Sequence, residues 1–286
     1  MTDAVSSPSE IARRAGLPRL GGRPPFLQYV GALSGRRALL LELARSRFRA
    51  SNEVNRLGMA WVVIRPLLNA GVYGLVFGLL LPAGTRPDNF VPFLVVGIFV
   101  FQFFAGCLND GAKAITGNLG LVRTLHFPRA LLPLATTLQQ LLGLGPMMVV
   151  AAVICLVFGE PLALRWLGLP PALALLAAFS TGVGLVAARA TLHIRDVTQL
   201  LPFITRLLFY TSGIFYAVDR VGLPRPVEVV ALLNPVHVYI SLVRGALVDG
   251  QAVDGSTWLL GLGWALLSVI AGFLFFWRAE ERYGRE

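Results

Sequence analysis

Long charge-free apolar stretches alternate along the chain with short segments that hold nearly all of its arginines. Residues 66–85, 89–109, 130–159, 166–188 and 255–277 contain no Asp, Glu, Lys or Arg, and residues 197–218 are interrupted only by Arg206. A bilayer core about 30 Å thick is crossed by about 20 apolar residues in a helix. The windows therefore predict six transmembrane helices, near 60–81, 90–108, 134–158, 167–188, 199–218 and 257–277. The first apolar run follows a polar stretch, Met1–Pro25, rich in Ser, Pro, Gly and Arg, so no cleavable signal peptide is predicted. Residues 1–35 read as a flexible cytoplasmic tail, 58–278 as the transmembrane domain and 279–286 as a C-terminal tail.

Three segments depart from the simple spanning pattern. In residues 36–57, Leu39, Leu43, Ala50, Val54 and Leu57 share one helical face, and Arg45, Arg49, Asn52 and Arg56 the opposite one. That pattern predicts an amphipathic helix on the inner membrane surface, either a passive anchor or a gate that touches a cytoplasmic partner. Residues 109–133 make an inner loop longer than a connector requires. It admits a short helix over 111–123 despite Gly117 and Gly120, and a turn at Phe127–Arg129, because proline disfavours helix in the residue before it. The loop is either solvated or a helix that docks into another protein. Residues 219–256 hold two apolar runs broken at Asn234–Pro235, each too short to span, and read as a re-entrant helical hairpin on the outer face. The expected fold is an all-α integral membrane protein.

Composition agrees. Of 286 residues 56% are hydrophobic and 14% charged, with a mean hydropathy of +0.70, which excludes a soluble domain and a soluble nucleic-acid binder despite the net charge of +10. Lys113 is the only lysine among 25 basic residues, a skew that looks genomic rather than chemical. On the six-span map, eighteen basic residues fall on the side of the termini and five on the other, Arg86, Arg165, Arg220, Arg225 and Arg244. Both termini are therefore expected in the cytoplasm.

The residues also bound the chemistry. No predicted span contains Asp or Glu, which argues against ion coupling and against membrane catalysis. His126, His193 and His237 lie in loops without metal-ligand spacing, and Cys107 and Cys155 sit in apolar runs as small hydrophobes. No catalytic, cofactor or metal site is expected, and no phosphate-binding loop of the form GxxxxGK[ST] occurs. If ATP drives this protein, another chain binds it.

Three motifs, in order, carry a family resemblance from about Leu39 to the C-terminus. They are LLLELARSRFRASNEVNRLGMAWVVIRPLL at 39–68, with Leu57, Gly58, Trp61 and Pro66; NLGLVRTLHFPRALLPLA at 118–135; and HIRDV…FYTSGIFY at 193–216. A looser fourth is LNPVHVYISLVRGAL at 233–247. Together they resemble the membrane subunit of ABC exporters that move O-antigen, teichoic acid and other lipid-linked polysaccharides. The chain departs from that pattern at Gly213, where many relatives carry proline.

The resemblance implies a homodimer in a bacterial plasma membrane, with ATP and Mg held by a separate cytoplasmic ATPase subunit. It implies that the loop at 111–125 couples to that ATPase, with Asn118, Leu121 and Arg123 as contacts and Arg45 and Arg49 on the interfacial helix as a second contact. Phe99, Phe103, Phe104, Tyr210, Phe215 and Tyr216 become candidate channel lining, since aromatic faces stack on sugar rings; each reads equally as lipid-facing filler. Arg206 is placed to meet a pyrophosphate of a lipid carrier, or to snorkel to inner headgroups. The Arg skew points to an actinobacterial source and a lipid-linked cell-wall galactan as substrate. A drug or small-lipid exporter of the same type is the alternative, and a membrane-embedded glycan-modifying enzyme a further one.

Overall fold

A computed structural model describes residues 25–53, 57–80, 87, 89–125, 127–218, 222, 224–251 and 253–280. Among them every regular element is helical. In chain order these are α1 (Phe26–Gly35), α2 (Arg37–Glu53), α3 (Trp61–Leu80), α4 (Phe90–Ala112), α5 (Leu119–Thr124), α6 (Leu131–Val157), α7 (Leu169–His193), α8 (Val197–Thr211), α9 (Arg225–Leu233), α10 (Pro235–Leu247) and α11 (Gly255–Trp277). Short 3-10 turns at Gly58–Ala60, Thr116–Asn118 and Leu164–Gly168 lead into α3, α5 and α7.

Five helices are long and apolar enough to cross a membrane: α3, α4, α6, α7 and α11, with α3 and α7 each extended at the N-terminal end by a 3-10 turn. Their packing follows from side-chain pattern. α4 is apolar on every face, and such a helix belongs in the centre. It is buried along most of its length, and α3, α6, α7, α8 and α10 pack around it. α3 is apolar too but sits at the edge, with Leu68, Val72, Leu75 and Leu79 exposed. Tyr29 near the N-terminus bonds to Glu280 near the C-terminus, so both ends of the described chain meet at one pole, here the terminal pole. The loops at Asn89, Glu160 and Asp249 meet at the other, the far pole.

The predicted fifth span is the main difference. It was expected as one helix over 199–218, but α8 stops at Thr211 after 15 residues. At 1.5 Å per residue that is about 22 Å, short of the bilayer core. The expected break at Asn234–Pro235 is present: α9 and α10 meet there at 73°. Asn234 accepts a bond from the Val236 N–H and Pro235 opens α10, so the residues that end one helix cap the next.

The flexible tail expected over 1–35 also needs correction. Residues 1–24 lie outside the described set, but Phe26, Tyr29 and Leu33 recur at helical spacing and α1 packs them on the end of α11. The Phe26 ring stands edge-on to Phe273 and Trp277, 5.7 and 5.5 Å between centroids, and Tyr29 is buried. At the other end Ala279 and Glu280, assigned to a tail, are buried; residues 281–286 lie outside the described set.

α7 and α11 approach backbone to backbone. A Cβ on Gly182 would collide with the main chain at Ser268, and one on Gly272 with the Gly182 carbonyl. Small residues permit such contacts, and they replace the hydrophobic drive that lipid removes. Gly182→Val should force the pair apart, since backbone cannot yield as a side chain does. A loss of about 3 kcal/mol or more is expected, seen as a lower thermal transition of the detergent-solubilised protein; an unchanged transition would show that the pair is not tightly packed.

Candidate functional site: a helix break held by a buried arginine

α8 ends at Ser212–Gly213. Gly213 has φ +65°, in the left-handed region that glycine enters freely and that the ring of proline forbids. The chain therefore turns here instead of continuing to the far pole, which frees backbone groups inside the bundle. Those of Ser212, Gly213 and Ile214 find partners on α10. The Ser212 carbonyl lies 3.2 Å from His237 Nδ1, and Asn234 Nδ2 donates to Ser212 Oγ at 3.2 Å. Arg244, on α10, donates through Nη1 to the Gly213 carbonyl at 2.8 Å and through Nη2 to the Ile214 carbonyl at 2.9 Å. Its Nε donates to the Phe93 carbonyl in the first turn of α4 at 3.0 Å.

Arg244 is 2% exposed, and its described partners include no carboxylate. The guanidinium is stabilised by three carbonyl dipoles and by the Phe93 ring, whose centroid is 3.3 Å from Cζ. Gly97 makes room for it: a Cβ there would come within 2.5 Å of Nη2. Sequence reasoning counted Arg244 among the outer loop charges. Its signal was its position on the apolar run of α10, where an arginine at membrane depth must face protein.

Beside the break lies an aromatic cluster. Phe215 stacks on Phe77 with ring centroids 4.1 Å apart and meets Tyr73 at 5.2 Å and Phe209 at 5.1 Å. Tyr210 is 6.0 Å from Phe215 and 47% exposed, and its carbonyl accepts from the Tyr216 hydroxyl at 3.2 Å. The structure thus brings together the predicted Tyr210, Phe215 and Tyr216, with Phe215 itself buried, and adds Tyr73, Phe77 and Phe209. It sets Phe99, Phe103 and Phe104 apart. All three are buried in the core, Phe104 stacked on Phe179, so within this chain they offer no open surface to a channel. Arg206 does not face the bundle interior. It is exposed on the outward face of α8, beside Phe203 and Leu207.

The terminal pole holds the predicted coupling segment. The helix expected over 111–123 is instead the end of α4, a 3-10 turn and the six-residue α5. Ile115 and Val122 are buried anchors and Leu121 packs beside them, while Asn118 bonds back to the Ala114 carbonyl at 2.9 Å. The backbone of Arg123 belongs to α5; its side chain lies outside the described set. On α2, Arg45 and Arg49 are exposed as expected. The apolar face is not where the pattern put it: Ala44, Arg47 and Phe48 turn inward toward α6, and Leu39 and Ala50 are exposed. Arg47 Nη1 donates to the Leu132 carbonyl and to Thr136 Oγ1, both at 3.4 Å, and burial pushes its guanidinium below the usual arginine range. Val54 and Arg56 lie outside the described residues.

Next to α5, Glu280 joins three chain segments. Tyr29 donates to it at 2.8 Å, the Arg129 backbone N–H at 3.0 Å, and the Ala130 N–H donates to the Tyr29 hydroxyl at 3.1 Å. Burial pushes the Glu280 carboxyl above its ordinary 4.5, opposed by Arg129 and Tyr29. At the far pole, buried Glu160 accepts from Asn89 Nδ2 at 2.6 Å, from the Asp249 N–H at 2.5 Å and from Arg165 at 3.5 Å. Arg165 also pairs with Asp249 and holds its carboxyl below the usual range.

Arg244→Met should leave the Gly213 and Ile214 carbonyls without donors at about 1–3 kcal/mol each. Lysine cannot reproduce the fork, so Arg244→Lys should destabilise as well, by less; a thermal transition unchanged in the Met variant would remove the assigned role. A second expectation concerns pH. The native state holds the Glu280 proton more tightly than the unfolded chain, so stability should fall as pH rises above 4.5. Thermal melts across that range should show a shallower slope for Glu280→Gln, and an equal slope would assign the dependence to another group.

Residues 39–248 match the sequence profile of the ABC-2 type transporter. The chain is 26% identical over 213 residues to the O-antigen export system permease protein RfbA of Klebsiella pneumoniae, covering 74% of this chain and 81% of that one. It is 22% identical over 260 residues to a protein of the same name from Myxococcus xanthus, covering 90% and 98%. The profile spans α2 through α10, including both α5 and the arginine-held break. This chain belongs to the ABC-2 type transporter family.

Proposed function

We propose that the chain is the transmembrane subunit of an ATP-driven exporter that moves a lipid-linked polysaccharide from the cytoplasm to the outer face of the plasma membrane. It acts as a homodimer, and each copy binds a separate ATPase that holds ATP and Mg. The terminal pole is cytoplasmic in this reading, α2 lies at the inner membrane surface, and α9–α10 is a re-entrant hairpin entering from outside. Relatives named as O-antigen export permeases, aligned over most of their length, support polysaccharide as cargo. A cell-wall galactan is the best-fitting polymer, on the compositional ground given above.

One observation carries the mechanism. α3 and α8 form an edge on which an aromatic cluster, Arg206 and Tyr210 stand beside exposed apolar residues. One chain supplies only one wall. A second copy facing that edge would close a path lined by ring faces, to which sugar C–H faces stack, with Arg206 supplying a bidentate donor for a carrier pyrophosphate. ATP-driven approach of the two ATPases would move α5, and with it the cluster of Ile115, Val122, Tyr29 and Glu280, as a rigid body. Asn118, Leu121, Arg123, Arg45 and Arg49 are the proposed ATPase contacts.

Co-purification with a candidate ATPase subunit, followed by ATP turnover in lipid nanodiscs, tests the reading. A stable complex with turnover is expected, and a lone chain with transferase activity would overturn it. Arg123→Glu should reduce coupled turnover at least tenfold while membrane insertion stays intact; normal coupling would free α5 of its role.

A further inference from the structure

Two cavities lie at the far pole, bordered by the helix break and by the Glu160 cluster. One, of about 440 Å³, lies between α10 and the start of α11, and the other, of about 370 Å³, between the Leu164–Gly168 turn and α10. Both fall in or near the 300–1,000 Å³ range of small-molecule sites. Gly250 and Val253 line both, so these two residues form the ridge between them.

The ridge is held in place. The Asp249 N–H is bound to buried Glu160, the Asp249 carboxylate is paired with Arg165, and the Val248 N–H donates to the Arg244 carbonyl at 2.7 Å. Gly245 is without a side chain where Val253 seats against α10, and a Cβ there would collide with it. A rigid rim of this kind lowers the ordering cost of binding.

The lining selects a ligand class. In the larger cavity Ser241, Gln251, Asp254, Ser256 and Thr257 face an apolar wall that includes Leu233 and Leu260. Asp254 precedes α11 but its side chain caps no backbone N–H, so its carboxylate remains available. The smaller cavity adds the Trp258 ring and Asp249. Arg165 is already matched by Glu160 and Asp249, and the ring nitrogens of His237 are engaged by the Ser212 carbonyl and Ser241 Oγ. Such a surface disfavours phosphate and carboxylate, including anionic headgroups. It suits a neutral, hydroxyl-rich ligand with an apolar ring face: hydroxyls donate to the carboxylates, and C–H faces lie on Trp258 and the leucines.

We infer that the paired cavities sharing Gly250 and Val253 form a binding groove for neutral glycosyl units at the far pole. The inference rests on the polysaccharide-export reading and adds a site to it. The groove holds a short stretch of emerging glycan by multiple weak hydrogen bonds, which opposes backsliding without tight retention.

Saturation-transfer NMR on the full chain in nanodiscs tests it, with methyl galactoside, methyl glucoside and glycerol phosphate as probes. Transfer to glycoside ring protons is expected, with none to glycerol phosphate. The signal should fall at least fivefold in Asp254→Asn and in Thr257→Val, two near-isosteric changes whose folding is checked by thermal melt. No glycoside signal, an equal signal in folded variants, or preference for glycerol phosphate would overturn the groove. Deletion of the chain in cells separates the two claims. Loss of surface glycan without glycoside binding overturns the groove alone, whereas unchanged surface glycan overturns the export reading while glycoside binding still supports the site.

Discussion

A backbone carbonyl at membrane depth must have a donor, because lipid offers none. Nearly everything unusual in this bundle follows from one place where the chain breaks that economy. α8 stops well before it has crossed, and the carbonyls that follow it at Gly213 and Ile214 find their donor inside the protein. Extending the helix would satisfy them, but would remove the turn that lets α9 and α10 sit beside α8. The solution is a single arginine with three donors in fixed geometry, reaching Gly213, Ile214 and Phe93 at once. Lysine offers a point charge and no such fork. Because the same side chain ties α4, α8 and α10, the central helix and the hairpin cannot move independently of the break.

The two poles solve related problems with acids. Glu160 and Glu280 are both buried, and each accepts bonds from chain segments far apart in sequence. Leaving a buried carboxylate without partners is costly, so each acts as a local assembly requirement. Glu280 fastens α1 and the Phe127–Arg129 turn to the end of α11, next to α5. Glu160 fastens the loops of the far pole to one another. The bundle is therefore stitched at its ends by polar bonds and along its length by close contacts such as Gly182 on Gly272, as expected where apolar packing alone gains little from burial in lipid.

Much of this was legible in the sequence. Charge-free length is set directly by bilayer thickness, so α3, α4, α6, α7 and α11 were placed to within a few residues. The break at Asn234–Pro235 was legible too, because an Asn cap followed by proline has a local cause. The end of α8 was not. Leu208 to Tyr216 reads as an apolar run with one glycine, and only the partner carbonyl geometry shows that Gly213 takes a left-handed turn. Arg244 was misplaced for the same reason: charge counting treats an arginine in a loop and one buried on a short helix alike. The burial of Phe99, Phe103 and Phe104 was hidden for another reason. An aromatic-rich apolar helix reads identically whether it faces lipid, a channel or five neighbours, and α4 faces neighbours. The face of α2 was misjudged because the leucine and alanine spacing alone set it, whereas Arg47 turns its guanidinium inward to Leu132 and Thr136.

The exposed edge raises the remaining question of what covers it. On α3 the exposed residues Leu68, Val72, Leu75 and Leu79 would be equally satisfied by lipid tails or by a protein partner, so hydrophobicity decides nothing there. α8 is different. Its outward face carries Leu200, Phe203 and Leu207, but also Arg206 and the half-exposed Tyr210. A charge at membrane depth costs about 2.5–3.5 kcal/mol even by the more lenient insertion scales, and the five long helices of this chain hold that kind of cost to their ends. Water, a sugar hydroxyl or a phosphate meets Arg206 and Tyr210 at far lower cost than an acyl chain does. The polar side chains on this face are thus what favours a wet path along α8, with α3 left to seal it against lipid or against a second copy.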